Sequence, residues 1–303
     1  MNRLQTERKI IFLVNPISGT KKKTKTIQHI QHELQRQSID FEILTTREDG
    51  DYKDISRKIK DEKFTDVIIV GGDGSVNQVV GSLKHLPLKF GIIPFGSGNG
   101  LARSLGVPMN SKAALKRILD GEATYIDAFI INEQFACMLA GLGLDAQVAW
   151  DFANSKSRGL ITYVRKSIAD FFKSKPYSFE IEINGINFST EAYFISIANA
   201  NQFGNNFKIA PKAKLNDGLL DIVVVQKMKK TKLIAAVVNQ ITGKNKIKNI
   251  ADNNYPKRVL YFQTASIRIF NKNEAPLHID GEPKPTFSQI NVDILPKCYK
   301  IIC

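Results

Sequence analysis

The stretch Asp66 to Val80, DVIIVGGDGSVNQVV, constrains the fold more than any other part of the chain. Val67 to Val70 is a short, wholly apolar run ending on glycine, which predicts a strand buried on both faces. Three glycines among Gly71, Gly72, Asp73 and Gly74 let the backbone turn sharply and bring its N–H groups close to a ligand. Ser75 can cap the helix that follows, whose positive N-terminal end faces the same point. Strand, glycine turn and helix start together make a place for phosphate. Asp73 does not suit anion binding alone, because a carboxylate repels phosphate. It makes sense if it holds Mg²⁺, accepts a proton or orients a substrate hydroxyl. A tight strand-to-helix turn with an incidental aspartate would read the same way, so the neighbouring segments have to decide.

Two further segments repeat the arrangement. Lys9 to Asn15 (KIIFLVN) predicts a strand that ends in Pro16-Ile17-Ser18-Gly19, with a helix over Thr24 to Gln37 carrying Ile27, Ile30 and Leu34 at helical spacing. Lys89 to Pro94 (KFGIIP) predicts another strand, ending in Phe95-Gly96-Ser97-Gly98-Asn99-Gly100. Between them Phe41 to Thr46 alternates as a strand and Tyr52 to Lys60 forms a modest amphipathic helix; Ser111 to Leu119 is a later one. Glycine loops at successive strand ends suggest one shared crevice at the carboxyl edge of an open α/β sheet, where such sheets bind ligands.

The pattern changes near Thr124. Strands are predicted at Tyr125–Asn132, Gln134–Leu142, Ser178–Asn184, Glu191–Asn199, Asp221–Gln226, Val259–Phe262, Ser266–Phe270 and Pro276–Ile279. Asn184-Gly185 between two alternating runs is a strong hairpin signal. Helices interrupt at about Leu160–Lys173 and Lys230–Gly243. Alternating α/β units followed by a run of strands argue for two domains, α/β then mostly β, with the active crevice between them.

The chain of 303 residues has room for both domains. No apolar run approaches the ~20 residues of a membrane span, and the apolar run at the N-terminus is too short for a signal segment. Three cysteines without metal or redox spacing fit a reducing cytoplasm. A formal net charge of +14 attracts nucleic acid, anionic membrane or phosphorylated ligands without choosing among them.

The loops at Asn15-Pro16 with Ser18-Gly19, at Gly71-Gly72-Asp73-Gly74-Ser75 and at Gly96-Ser97-Gly98-Asn99 resemble, in order, the nucleotide-binding motifs of the diacylglycerol kinase catalytic family, which includes bacterial lipid kinases and the sphingosine and ceramide kinases. Leu215-Asn216-Asp217-Gly218-Leu219-Leu220-Asp221 resembles the family's loop for a structural Mg²⁺, and Asp280-Gly281-Glu282-Pro283 its late catalytic motif. The resemblance spans nearly the whole chain. It implies an α/β ATP-binding domain over 1–127, joined by about 289–303, and a β-sandwich-like lipid and catalytic domain over 128–288. It further implies that Gly71 to Asn77 cradle the ATP phosphates, that Thr46 and Ser97 help bind nucleotide, and that Asp217 with the carbonyls of Lys214 and Leu219 holds the metal. Asp280 or Glu282 would be the base near the lipid hydroxyl. ATP and Mg²⁺ would be the cofactors. The partner would be a membrane lipid, met peripherally at the inner face of the membrane by a cytoplasmic protein of phospholipid metabolism; a homodimer, as among relatives, is compatible.

Two departures bear on specificity. Ser75 stands where bacterial members usually carry threonine, which keeps the hydroxyl. Gly100 stands where many diacylglycerol kinases carry aspartate, which leaves the lipid open between a diacylglycerol-like and a sphingoid acceptor. Trp150, Phe152, Phe171 and Phe172 line a lipid entrance or belong to the core; the lysines flanking Leu233–Val238 suit an anionic bilayer or simply end a core helix. Asp280-Gly281 and Asp217-Gly218 are also ordinary turn signals. An NAD kinase, which shares the Gly-Gly-Asp-Gly motif, and a non-catalytic nucleotide-binding regulator are the alternatives. No recognition helix or stacking motif points to nucleic acid.

Overall fold

The strand predicted at Val67–Val70 is β3 (Asp66–Gly71), and every residue of it is buried. The computed structural model describes residues 8–19, 23–144, 175–202, 208–229, 232, 235–236, 239–240, 242–247 and 259–303. By its internal contacts the chain divides into two compact units, Met1–Ile126 with Lys297–Cys303, and Asp127–Pro296. The first is an open α/β unit and the second is β-sandwich-like.

In the first unit, β1 (Lys9–Val14), β2 (Asp40–Thr45), β3, β4 (Lys89–Pro94) and the last residues of β15 (Gln289–Ile302) pair side by side in the order β2-β1-β3-β4-β15, every neighbour parallel. Parallel neighbours need crossovers, and α1 (Thr24–Arg36), α2 (Lys53–Asp61) and α3 (Asp73–Leu83) supply them. Each helix buries one stripe: Ile30 and Leu34 of α1, Ile55 and Ile59 of α2, and Val76, Val79, Val80 and Leu83 of α3. After β4 come the short α4 (Gly100–Ser104) and α5 (Ser111–Asp120), the latter capped by the Asn110 side chain. From β1 the chain passes to β2 on one side and then to β3 on the other. At such a reversal the loops leave in opposite directions and open a crevice beyond the carboxyl ends of the strands.

The second unit is antiparallel. Its strands are β5 (Ala123–Ile131), which enters it at Asp127, β6 (Gln134–Ala136), β7 (Leu139–Gly143), β8 (Tyr177–Ile183), β9 (Ile186–Ala198), β10 (Leu220–Gln226), β11 (Val259–Thr264), β12 (Ser266–Asn271), β13 (Leu277–Ile279), β14 (Glu282–Lys284) and the first part of β15. The first half of β9 pairs with β8 and its second half with β7 and β10. One long strand thus carries different partners along its two halves. The β8–β9 turn lies on Asn184 and Gly185, both at positive φ (50° and 77°), the backbone that a two-residue hairpin requires. Phe129, Phe179, Ile181, Ile195, Ile222 and Phe262 are among the side chains of its core.

Three expectations change. The run Gln134–Leu142 is two strands, because at Cys137 and Met138 the backbone N–H groups donate to the Asp280 carboxylate instead of a strand ladder. The strand expected from Glu191 begins at Ile186. Residues 289–302, which alternation did not single out, form β15: its first residues pair with β12, and Lys300 and Ile301 pair with Lys89 and Phe90. The helix predicted at Leu160–Lys173, together with Trp150, Phe152, Phe171 and Phe172, lies outside the described residues, as do parts of the one predicted at Lys230–Gly243.

Candidate functional site

In the first unit the loops after β1, β3 and β4 meet at the strand reversal. Asn15 leaves β1 and uses both ends of its amide. Its Nδ2 donates to Ser75 Oγ at 2.8 Å, and its Oδ1 accepts the backbone N–H of Ile17 at 3.0 Å and of Ser18 at 3.2 Å. The Asn15 side chain thereby folds its own loop as an Asx turn and ties it to the start of α3. The Ser18 hydroxyl closes the same turn on the Asn15 carbonyl at 3.3 Å. Pro16 and Gly19 are exposed in this loop, and Gly19 has φ +69°. A Cβ on Gly19 would fall 2.3 Å from the Phe95 carbonyl oxygen, so only glycine lets the first loop lie against the third. Thr46, one residue beyond β2, is fixed beside this edge by its N–H to the Val14 carbonyl at 3.0 Å.

Ser75 does not cap α3. The helix starts at Asp73, its N-cap is Gly72, and no side chain caps it. Gly72 is extended and passes straight from strand to helix, which leaves Ser75 one turn in, buried against Asn15. A Cβ on Gly71 would meet Ser75 Oγ at 2.7 Å, and one on Gly72 would meet the Gly96 Cα at 2.9 Å. From the other side, a Cβ on Gly96 would lie 2.6 Å from the Gly72 Cα and 2.8 Å from Asn99 Oδ1. The two glycine loops therefore touch backbone to backbone. Gly74 and Asn77 sit half-buried in the first turns of α3.

Asn99 shapes the third loop. In the left-handed region at φ 51°, it accepts the Gly96 N–H at 2.8 Å and donates to the Gly96 carbonyl at 2.7 Å. Ser97 is exposed at the tip, and the Gly98 carbonyl accepts Arg103 Nε at 3.2 Å. The Asp73 carboxylate accepts the backbone N–H of Gly100 at 2.9 Å and of Leu101 at 3.2 Å. These contacts give Asp73 a part that the sequence does not announce, holding the loop after β4 against the start of α3.

In the second unit Asp280 and Gly281 form the two-residue turn between β13 and β14, both at positive φ (49° and 84°). The turn that Asp280-Gly281 signals in the sequence is therefore present. Asp280 is 6 % exposed, and its oxygens accept the N–H groups of Cys137 at 2.8 Å and of Met138 and Leu139 at 2.9 Å. Glu282, two residues on, is exposed.

The loop expected to hold Mg²⁺ is organised by a carboxylate that the sequence reading passed over. Asp127, 1 % exposed, accepts the Gly218 N–H at 2.8 Å, while its own N–H donates to the Leu215 carbonyl at 2.6 Å. The signal was present: one aspartate inside the apolar strand ATYIDAFII must find a partner. Asp217 is exposed and accepts the Leu219 N–H at 3.2 Å; Lys214 is exposed. One carboxylate and main-chain carbonyls are a hard oxygen set, which fits Mg²⁺ with water completing the shell. Among the described residues no group of three or more His, Cys, Asp and Glu side chains could hold a metal. The pKa of Asp221, the last residue of this segment and part of β10, is pushed up to about 6 by burial, against hydrogen bonds from Tyr261 and Gln263.

Residues 9–131 match the diacylglycerol kinase catalytic domain family, and residues 139–303 match the YegS C-terminal NAD kinase beta sandwich-like domain. The chain is 26% identical over 277 residues to a diacylglycerol kinase of Bacillus subtilis (strain 168), covering 89% of this chain and 88% of that protein. A diacylglycerol kinase of Staphylococcus aureus (strain MRSA252) is 26% identical over 276 residues, covering 89% and 85%. A crystal structure from Bacillus anthracis str. Sterne superposes with a TM-score of 0.76 at 24% identity, over 100% of this chain and 98% of its own. One described as a diacylglycerol kinase from the same organism gives 0.72 at 21%, over 99% and 98%. At those identities the superpositions speak for the fold alone.

Proposed function

Since the chain belongs to the diacylglycerol kinase catalytic domain family, joined to the YegS C-terminal NAD kinase beta sandwich-like domain, and is a lipid kinase of that family, we propose that it transfers the γ-phosphoryl group of ATP·Mg²⁺ to the hydroxyl of a diacylglycerol-like or sphingoid lipid. The contact of Gly72 with Gly96 carries the reading: two loops meet through glycines beyond the carboxyl ends of parallel strands, so backbone N–H groups can approach an anion from both. Phosphoryl transfer asks chiefly for positioning and charge neutralisation. Gly71 to Asn77 and Gly96 to Asn99 line the phosphate chain, with Asn15, Pro16, Ser18 and Gly19 closing it from the first loop, and Thr46 and Ser97 at its margin. Asp73 holds the third loop in register with the second.

In the transfer, the lipid hydroxyl oxygen bonds to the γ-phosphorus, the bond to the bridging β–γ oxygen breaks, and ADP leaves. The hydroxyl proton passes to a carboxylate, Asp280 or Glu282. Lys214, Asp217 and Leu219 are the residues that would hold a structural Mg²⁺, whose charge would brace the loop that Asp127 folds. The acceptor places the reaction at a bilayer surface, met peripherally at the inner face, which the net charge of +14 favours. Among the described residues no helix is long and apolar enough to cross a membrane.

The test is transfer of labelled γ-phosphate from ATP·Mg²⁺ to diacylglycerol, monoacylglycerol, sphingosine, ceramide and undecaprenol in mixed micelles, with NAD as a further acceptor. Product with one of these lipids supports the reading and settles the acceptor that Gly100 leaves open. The second reading, an NAD kinase, is favoured by the likeness of residues 139–303 to an NAD kinase beta sandwich-like domain; phosphorylation of NAD with no lipid product would replace the first reading by the second.

A further inference from the structure

Lys23, the residue before α1, reaches back into the first loop. Its Nζ donates to the Ser18 carbonyl and, at 3.4 Å, to the Pro16 carbonyl, and stands 5.5 Å from the centroid of the Phe95 ring. Phe95 belongs to the junction of all three loops: its N–H donates to the Gly71 carbonyl at 2.8 Å, and its own carbonyl is the atom that Gly19 lies against. The amine is thus a cation placed where the loops after β1, β3 and β4 converge. Its contacts are two neutral carbonyls and a ring face; among the described residues no carboxylate pairs with it. Partial burial draws its pKa below the usual lysine value, an expense that an adjacent anion would cancel. An ammonium carries three N–H donors, and two have partners in the loop.

We propose that Lys23 is the cation that receives the phosphate chain of the nucleotide at this junction, its third donor going to a phosphate oxygen while the other two hold the Pro16–Ser18 turn beside it. The proposal rests on the nucleotide reading above and adds to it a residue outside the glycine motifs. A lysine acts here as a point charge, so arginine preserves the attraction but not the fit to both carbonyls.

The test is equilibrium competition against labelled ATP·Mg²⁺ with the full chain, comparing unlabelled ATP and adenosine for the parent, Lys23→Met, Lys23→Gln and Lys23→Arg. Loss of a charged hydrogen bond is expected to weaken ATP about tenfold or more in the Met and Gln variants, with adenosine unchanged within about twofold and arginine restoring part of the loss. The ATP affinity of the Met and Gln variants should also depend less on salt. Equal weakening of adenosine and ATP would reduce Lys23 to a loop brace and overturn the proposal, as would unchanged ATP affinity in variants that melt like the parent. A parent chain that binds no ATP would overturn the nucleotide site itself, and the part of Lys23 with it.

Discussion

The carboxylate of Asp73 accepts the backbone N–H of Gly100 at 2.9 Å, so the acidic residue of the glycine motif after β3 anchors the helix that follows the loop after β4. Asp73 therefore couples two loops that each look self-sufficient in the sequence. Asp73→Ala removes acceptors for both Gly100 and Leu101 and lets the third loop drift. A displacement of about 1 Å at a phosphate site can lower turnover about 100-fold, whereas the buried strands of the unit stay intact. Steady-state kinetics beside a thermal melt checks this; near-normal turnover in the alanine variant would remove Asp73 from the site.

The approach of Gly72 to Gly96 gives a second outcome. Gly72→Ala sets a Cβ 2.9 Å from the Gly96 Cα, and Gly96→Ala sets one 2.6 Å from the Gly72 Cα. Neither neighbour is a flexible side-chain end, so backbone must move. Each substitution is expected to destabilise the unit by about 1–3 kcal/mol and to weaken ATP binding in the variant that still folds. Urea unfolding and nucleotide titration read the two effects separately; an alanine at 72 that binds ATP like the parent would show that the loops do not act together.

The strands and turns themselves are local in sequence, and so were legible there. The run Val67 to Val70 could only be a strand buried on both faces, and Asn184-Gly185 could hardly be other than a hairpin turn. What pattern reading missed are contacts made across the chain. Asn15 and Ser75 are 60 positions apart, and nothing near Ser75 shows that its hydroxyl is claimed by an asparagine rather than by its own helix. The break at Cys137 and Met138 comes from Asp280, more than a hundred residues later. Nothing in the sequence around Lys23 shows that its amine turns back to the carbonyls of Pro16 and Ser18.

Asp280 and Glu282 separate by what each substitution disturbs. Asp280→Asn replaces a buried carboxylate that accepts three backbone N–H groups, and it should cost about 2 kcal/mol or more in stability as well as rate. Glu282→Gln, at an exposed position on β14, should alter stability by less than about 0.5 kcal/mol. If Glu282 is the base, its variant loses kcat at unchanged melting temperature and unchanged ATP affinity, since a base acts mainly in the transition state. Should Glu282→Gln keep full kcat while a folded Asp280→Asn loses it, Asp280 both accepts the proton and braces the bend.

Away from the site, an ion pair with a buried carboxylate ties the amino edge of the first unit together. Asp66 opens β3 with its side chain fully buried, and Arg8 binds both of its oxygens, at 3.1 and 3.4 Å. The same guanidinium donates to the Ile118 and Leu119 carbonyls at 2.8 and 3.0 Å, tying the end of α5 to the sheet. Arg8→Met strands the carboxylate, with the Thr65 hydroxyl at 2.6 Å still donating to it. Breaking a buried pair on one side typically costs 3–5 kcal/mol; with a threonine still in place, about 3 kcal/mol is expected. Adding Asp66→Asn to Arg8→Met should recover part of it, because the second change removes the stranded charge. Chemical denaturation of the two single variants and the double gives the coupling directly. Activity at low temperature should stay close to the parent in all three, since Arg8 and Asp66 lie at the opposite strand ends from Asn15, Gly72 and Gly96; a double variant less stable than Arg8→Met alone would show that burial of the charge is not what the pair relieves.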